Sequence, residues 1–257
     1  MIPLKIHYCW FGEKTLPEDS KRYIETWKKY CPNYEIIEWN ESNFDLECCK
    51  YVAEAYKAQK WAFVSDYARF YILYKYGGMY FDTDVEMIKG MEDILAEGAF
   101  MGIEAGKDVL VAPGLGMGAE PGNKIFKEII DYYNLQSFYK KDGSINKTTV
   151  VKRVSEILYN NGYTASGQKE KVGEITIYPA DYFCPMNYFN GKTTITENTR
   201  TIHHYAETWH NPAEKKIDAI RRKLYDTRFY GSIFEEILII PFRIWNKIIN
   251  ILEKRKG

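Results

Sequence analysis

Two carboxylates, Asp82 and Asp84, close the run 74-YKYGGMYFDTDVEM-87. Side chains at i and i+2 of an extended chain share a face, so a persisting strand would turn both the same way. Two unpaired like charges that close are unfavourable, and a divalent cation beside them removes the cost. Hard oxygen ligands suit Mn²⁺ or Mg²⁺. Asp-x-Asp alone equally describes a loop with two solvated carboxylates. The flanks favour the metal: Met79-Tyr80-Phe81 puts the pair at the edge of a core, and Gly77-Gly78 lets the backbone approach closely. No HExxH, Cys/His cluster or EF-hand loop competes for a cation.

Two further pairs could complete such a site. Asp66 and Arg69 lie three apart in an apolar segment and share a helical face. They make either a local salt bridge or a polar pair addressing a ligand, with Arg69 on a phosphate and Asp66 on sugar or base donors. His203 and His204, half of the four histidines, close a candidate strand. One faces the site and the other the back, and spacing leaves open which. An imidazole can complete an octahedral site with two carboxylates.

The elements that must hold these residues read as alternating strands and helices. 5-KIHYCWF-11 is a buried strand ended by Gly12. A helix begins at 17-PEDS-20, with Asp19 or Ser20 as cap and Tyr23, Ile24 and Trp27 on one face. Strand 34–39 follows, then a helix over 46–58 and an apolar helix over 61–76 stopped by Gly77-Gly78. Residues 79–81 form a strand, and the Asp-Thr-Asp motif sits where it runs out. Further strands fall at 98–104 and 173–179, helices at 123–133 and 147–160, and a short strand leads from residue 199 into a loop. Residues 113–123, PGLGMGAEPGN, form a Gly-rich loop able to approach a sugar, or simply a set of turns. This order implies a mostly parallel sheet with helices on its faces and a site at the carboxyl ends of the strands.

Composition narrows the function. The length of 257 residues suits one α/β domain with an extension, divided here as 1–215 and a helical 216–257. Equal numbers of Lys+Arg and Asp+Glu, 35 of each, argue against nucleic acid as a partner. Five cysteines without a CxxC disfavour a disulfide framework and structural zinc, and fit a reducing cytoplasmic compartment. The N-terminus lacks a signal-peptide pattern and no run of 18 apolar residues occurs. Tyr is abundant, 22 residues, which fits either a ring-lined wet cleft or a coding bias. The tail 233-IFEEILIIPFRIWNKIINILEKRKG-257 is basic and aromatic, with Pro241 expected to kink or divide its helices. It would rest on the inner face of an anionic membrane, on the core or on a second subunit.

The combination of 6-IHYCWFG-12, 62-AFVSDYARFYILYKYGGMYFDTD-84 and 203-HHYAETW-209 resembles the glycosyltransferases with a DXD-containing sugar-binding region, over roughly residues 2–210. That group includes yeast Golgi initiating mannosyltransferases and bacterial capsular polysaccharide transferases, with the large clostridial glucosylating toxins more distant. The resemblance implies a GT-A fold, α/β with a Rossmann-like, mostly parallel sheet. It implies retaining transfer from a UDP-sugar or GDP-sugar, with Mn²⁺ or Mg²⁺, to a glycan or lipid-linked oligosaccharide of a surface polysaccharide. Tyr8 and Trp10 would hold the base, with Phe11 beside them. Asp66 and Arg69 match Ser-Asp-x-x-Arg, which contacts ribose, sugar and phosphates. Tyr80 lies just before the carboxylates, Asp82 would touch ribose and sugar hydroxyls, and Asp84 would ligate the metal. His204 would reach the metal or a phosphate, and Trp209 would cap the pyrophosphate. Glu207-Thr208-Trp209 departs from the Gly-Ser-Trp or Ser-Trp of many relatives. A nucleotide-sugar hydrolase, a protein-modifying transferase and a metal- or nucleotide-binding module are the competing readings.

Overall fold

The computed structural model describes residues 1–106, 108–206, 211–225 and 227–254. Its first apolar run forms β1 (Lys5–Cys9), whose last four residues are all buried. Tyr8 meets the ring of Trp27 on α1 (Glu18–Tyr30) with centroids 5.9 Å apart. Cys9 instead joins the larger core built from α2 (Lys50–Lys57), α3 (Trp61–Tyr76), α5 (Lys124–Asn134) and α6 (Val150–Asn160). The same division recurs in β5 (Ala99–Gly102), where Met101 belongs to the larger core and Phe100 stacks on Phe183 of α7 (Ala180–Phe183) at 5.4 Å. Strands buried on both faces need a helix layer on each side, and that drives near-continuous apolar runs instead of alternation.

The central sheet has seven strands in the order β2 (Glu35–Trp39), β1, β3 (Gly78–Tyr80), β6 (Met117–Ala119), β5, β8 (Ile175–Tyr178), β7 (Glu170–Val172). Five strands run the same way; β6 and β7 are reversed. This is the mostly parallel α/β architecture expected, with helices on both faces. A two-stranded ladder, β4 (Val85–Met87) with β9 (Thr201–His203), lies outside that sheet. Between β4 and β5 runs the short helix α4 (Glu92–Ala96).

Several expectations shift. α1 starts at Glu18 after Pro17, with no side-chain cap; the proline's φ of −56° already suits a helix start, so neither Asp19 nor Ser20 is needed as cap. The segment expected as a Gly-rich loop contains β6, because Gly118 admits the Phe100 ring; an added Cβ would sit 2.5 Å from it. Gly77-Gly78 does stop α3. Gly77 has φ +63°, and a Cβ there would meet Pro121 at 2.6 Å.

Residues Met1–Pro185 and Thr194–His204 form one unit, and Met186–Thr193 with Tyr205–Gly257 the other. The division therefore falls at residue 204, earlier than 215. The reason is local: Asn211 makes a capping box with Glu214 and starts α8 (Pro212–Leu224). α8 is joined to α9 (Ile233–Lys254) by Arg221–Glu235 at 3.1 Å and by Asn211–Asn246 at 2.8 Å, an antiparallel arrangement. Pro241 lies inside α9 and does not divide it.

Candidate active site

The apolar helix α3 and the strand that follows it bring Asp66, Arg69, Tyr80 and Asp82 together at the carboxyl end of β3. Arg69 is 4% exposed. Its Nη2 lies 3.2 Å from Asp82 Oδ1 and 3.5 Å from Asp66 Oδ1, and its Nη1 donates to Asp82 Oδ2 at 3.4 Å. Nε donates to the Ser65 carbonyl at 3.0 Å. The Tyr80 hydroxyl donates to Asp82 Oδ1 at 2.9 Å, and its ring lies under the guanidinium at 4.9 Å. Gly114 closes the arrangement: its carbonyl accepts from Asp82 N at 3.0 Å, and a Cβ would fall 2.0 Å from Asp82 Oδ2. A buried guanidinium held by two carboxylates fixes all three groups, since removing one would leave a charge unpaired in low dielectric.

Arg69 is therefore turned to Asp82 and Asp66, which places it as an orienting cation and not at an exposed phosphate position. Tyr80, 1% exposed, acts through Asp82. Behind Asp66 lies a second buried cation that sequence reasoning missed. Arg153 is 1% exposed, donates to the Thr148 carbonyl and the Tyr132 hydroxyl at 3.1 Å each, and lies over the rings of Tyr51 and Tyr133. Burial pushes the Asp66 carboxyl up to about 7, with Arg69 and Arg153 pulling against it and Asp82 adding to it. Periodicity marks Arg153 only as one more residue of an amphipathic helix, so no signal in the sequence ties it to Asp66.

Asp84 belongs to a different environment. β3 ends at Tyr80, and the Val85 amide donates to the Asp82 carbonyl at 3.1 Å, so 82-DTDV-85 is a turn. The motif lies where the strand runs out, as expected, so strand alternation does not govern the two carboxylates. Two bonds from α1 fix the turn's exit: Trp27 Nε1 donates to the Val85 carbonyl at 2.8 Å, and Met87 N to Thr26 Oγ1 at 2.9 Å. Asp84 Oδ1 lies 3.2 Å from His203 Nε2, with both side chains 15% exposed.

The imidazole of His203 meets Asp84, whereas His204 reaches it only through its backbone amide, which donates to the Asp84 carbonyl at 2.9 Å. β9 pairs His203 with Val85, and Thr201, two residues earlier, bonds inward to the Phe183 carbonyl at 3.1 Å. Alternation turns His203 the same way and His204 the other. His204 Nε2 meets Glu86 Oε2 at 2.8 Å and its ring stacks on Tyr23 at 4.5 Å. The expected metal role of His204 is corrected on this ground. Burial opposes a charged His203, but the adjacent Asp84 carboxylate, then Asp82 and Glu104, outweigh it and raise its pKa. Burial likewise raises Glu104, with His203 opposing. Glu104 thus shares the electrostatic environment of the motif.

The expected base-binding residues separate. Trp10 is half-buried just past the end of β1, with Nε1 donating to the Lys14 carbonyl at 2.6 Å. Tyr8 is buried and donates to Glu38 Oε2 at 2.7 Å, away from Asp82. Phe11 packs edge-on against Phe44 in the core. Trp209 lies outside the described residues. Among the described residues no three His, Cys, Asp or Glu side chains converge into a metal-ligand cluster. The residue types would still suit a hard divalent ion: Asp84 and His203 could supply two ligands, and such ions commonly take the remainder from substrate phosphates and water.

Comparison with known proteins finds glycosyltransferases. Residues 17–101 match the family model described as the glycosyltransferase sugar-binding region containing DXD motif, which runs from α1 into β5 and includes the turn at Asp82–Asp84. An uncharacterized glycosyltransferase of Acanthamoeba polyphaga mimivirus is 27% identical over 204 residues, covering 75% of this chain and 76% of that one. An inositol phosphoceramide mannosyltransferase of Schizosaccharomyces pombe is 28% identical over 111 residues, 39% of this chain and a third, 33%, of its own length. Among solved structures, the PaToxG glycosyltransferase is 19% identical with a TM-score of 0.47, covering 62% of this chain and 69% of that one. A glycosyltransferase involved in the glycosylation of the major capsid of PBCV-1 is 12% identical with a TM-score of 0.44, covering 84% and 98%. Residues 17–101 thus match the glycosyltransferase sugar-binding region that contains the DXD motif, and three quarters of the chain is similar to a glycosyltransferase.

Proposed function

We propose that the chain moves a sugar from a nucleoside-diphosphate sugar, a UDP-sugar in first place, to a hydroxyl of a surface-glycan acceptor, with a divalent cation and with retention of anomeric configuration. One observation carries the reading: Asp82, oriented by Arg69 and Tyr80, stands a single residue from Asp84 and its partner His203. Donor and metal binding both need carboxylates, and here each has its own.

Asp82 keeps lone pairs for the donor's hydroxyls while Arg69 and Tyr80 fix its plane. Asp66, held from behind, accepts from a second hydroxyl. Paired carboxylates of this kind orient the anomeric carbon toward an incoming acceptor. Asp84 and His203 would hold the cation, which when bound neutralises charge on the departing diphosphate. Glu104 borders the same region and is placed to meet the acceptor. Trp10, half-exposed at the strand edge, offers a ring for the base. The S. pombe relative is named for mannosyl transfer to inositol phosphoceramide, which keeps a GDP-sugar and a lipid-borne acceptor in the test.

The test is calorimetric titration of UDP and of GDP into the protein with and without Mn²⁺. Metal-dependent UDP binding supports the reading, and metal-dependent GDP binding redirects it to GDP-sugars. Absence of binding to both, with metal present, overturns the donor site.

A further inference from the structure

α9 carries a face that no part of the described protein covers. Ile233, Ile237, Ile240, Ile244, Ile248 and Ile251 are between 47% and 80% exposed. Their spacing of four, three, four, four and three residues takes 18 residues for about five turns of helix, or about 3.6 per turn, so they form one straight stripe. Exposed Phe234 and Trp245 flank it. The opposite side of α9 is engaged instead: Ile239 is fully buried, and Glu235 pairs with Arg221 of α8. A soluble surface rarely leaves so long an apolar row open to water.

Period and charge together select the occupant. A coiled-coil seam with a second copy recurs every 3.5 residues and drifts off a 3.6 stripe. Continued as heptads from Ile237, Ile240 and Ile244, the seam would next take Lys247, a charge where an apolar knob is needed. The unit of Met186–Thr193 and Tyr205–Gly257 holds 12 Lys+Arg against 7 Asp+Glu, a net of +5. The remainder of this neutral chain, with 23 against 28, is therefore −5. Lys215, Lys216 and Lys223 on α8 and Lys247 on α9 are exposed. No helix among the described residues is long and apolar enough to cross a membrane.

We propose that the isoleucine face of α9 docks on an anionic phospholipid bilayer, with the helix lying in the plane of the interface. The isoleucines enter the boundary between headgroups and acyl chains, Trp245 and Phe234 sit at headgroup level, and the lysines meet lipid phosphates. The surface belongs to a different unit from the donor site and does not depend on which nucleotide binds there. It would keep the enzyme beside an acceptor carried on lipid.

The experiment is co-sedimentation of the full chain with vesicles of phosphatidylcholine alone and of phosphatidylcholine mixed with phosphatidylglycerol. The double variant Ile237→Glu/Ile244→Glu and the triple variant Lys215→Gln/Lys216→Gln/Lys223→Gln are compared with wild type. Light scattering gives the oligomeric state, and nucleotide binding serves as the control for folding. Wild type should prefer the anionic vesicles and lose binding at high salt. The double variant should lose about tenfold or more, and the triple variant should also weaken, each lysine near the surface contributing several-fold. Equal sedimentation of wild type and the folded double variant would overturn the proposal. So would a wild-type dimer that ignores vesicles and becomes monomeric in the double variant, which would assign the face to a second copy.

Discussion

Asp82 and Asp84 stand on either side of Thr83, and their surroundings differ in kind. Asp82 is braced by Arg69, Tyr80 and the close backbone of Gly114, and Arg69 is braced in turn by Asp66. Asp84 meets His203, an imidazole delivered by β9 from a distant part of the chain. The first carboxylate is tied to the helix and strand that carry Arg69 and Tyr80. The second, on the same turn, meets a side chain that is itself a ligand type. The difference teaches that adjacent members of one motif can divide their labour, one tied to the scaffold and one reserved for chemistry. Mutations on the two sides should then fail differently.

The largest effect is expected on the braced side. Arg69→Met leaves the buried Asp66 and the partly exposed Asp82 without their cation, which should cost activity as well as stability, the latter at most about 3–5 kcal/mol, the figure for a fully buried pair. Chemical denaturation measures it. A variant as stable as wild type would show that the braced side is not structural. On the other side, His203→Ala should leave the melting temperature nearly unchanged and reduce turnover by about 10²–10³, the usual loss when a group stabilising transition-state charge is removed. His204→Ala, whose side chain meets Glu86 and Tyr23, should keep activity within a few-fold. The reverse ranking of the two histidines, measured by steady-state kinetics, would break the assignment.

A smaller effect separates the scaffold from the site by pH. His7 pairs in register with Tyr80 and is fully buried. Its Nδ1 accepts from Trp39 Nε1 at 3.0 Å and its Nε2 meets the Gly77 carbonyl at 2.9 Å, so the neutral ring with its proton on Nε2 fits both partners. Burial lowers its pKa from 6.5 to about 4, with the Gly77 hydrogen bond opposing and Lys5 assisting. The unfolded chain therefore takes up the proton first as pH falls. His7's contribution is complete above pH 6.5 and is lost on descending toward pH 4, a change of about 3 kcal/mol at most. Thermal melts of wild type and His7→Gln across that window should show the steeper acid loss in wild type. Parallel slopes would remove His7 from the account.

The fold was largely legible, and for stated reasons. An apolar helix with a Gly-Gly stop and a strand running into carboxylates are local patterns, and both appear where expected. β6 was hidden because its one glycine, Gly118, which leaves room for Phe100, reads with its neighbours as a turn residue. The choice between His203 and His204 depends on the register of β9 against β4, a long-range pairing that spacing along the chain does not encode. Arg153 illustrates the same limit: a cation buried beside aromatic rings looks, in one dimension, like any charge on a helix.

The central claim, that Asp84 serves the cation and Asp82 the scaffold and donor, is tested most directly by electron paramagnetic resonance of bound Mn²⁺ with UDP present. Wild type, Asp84→Asn and Asp82→Asn are compared, with circular dichroism confirming that each is folded. The account predicts that Asp84→Asn loses the bound-Mn²⁺ signal while Asp82→Asn retains it with weakened nucleotide affinity. Retention of the signal in Asp84→Asn and its loss in a folded Asp82→Asn would contradict it.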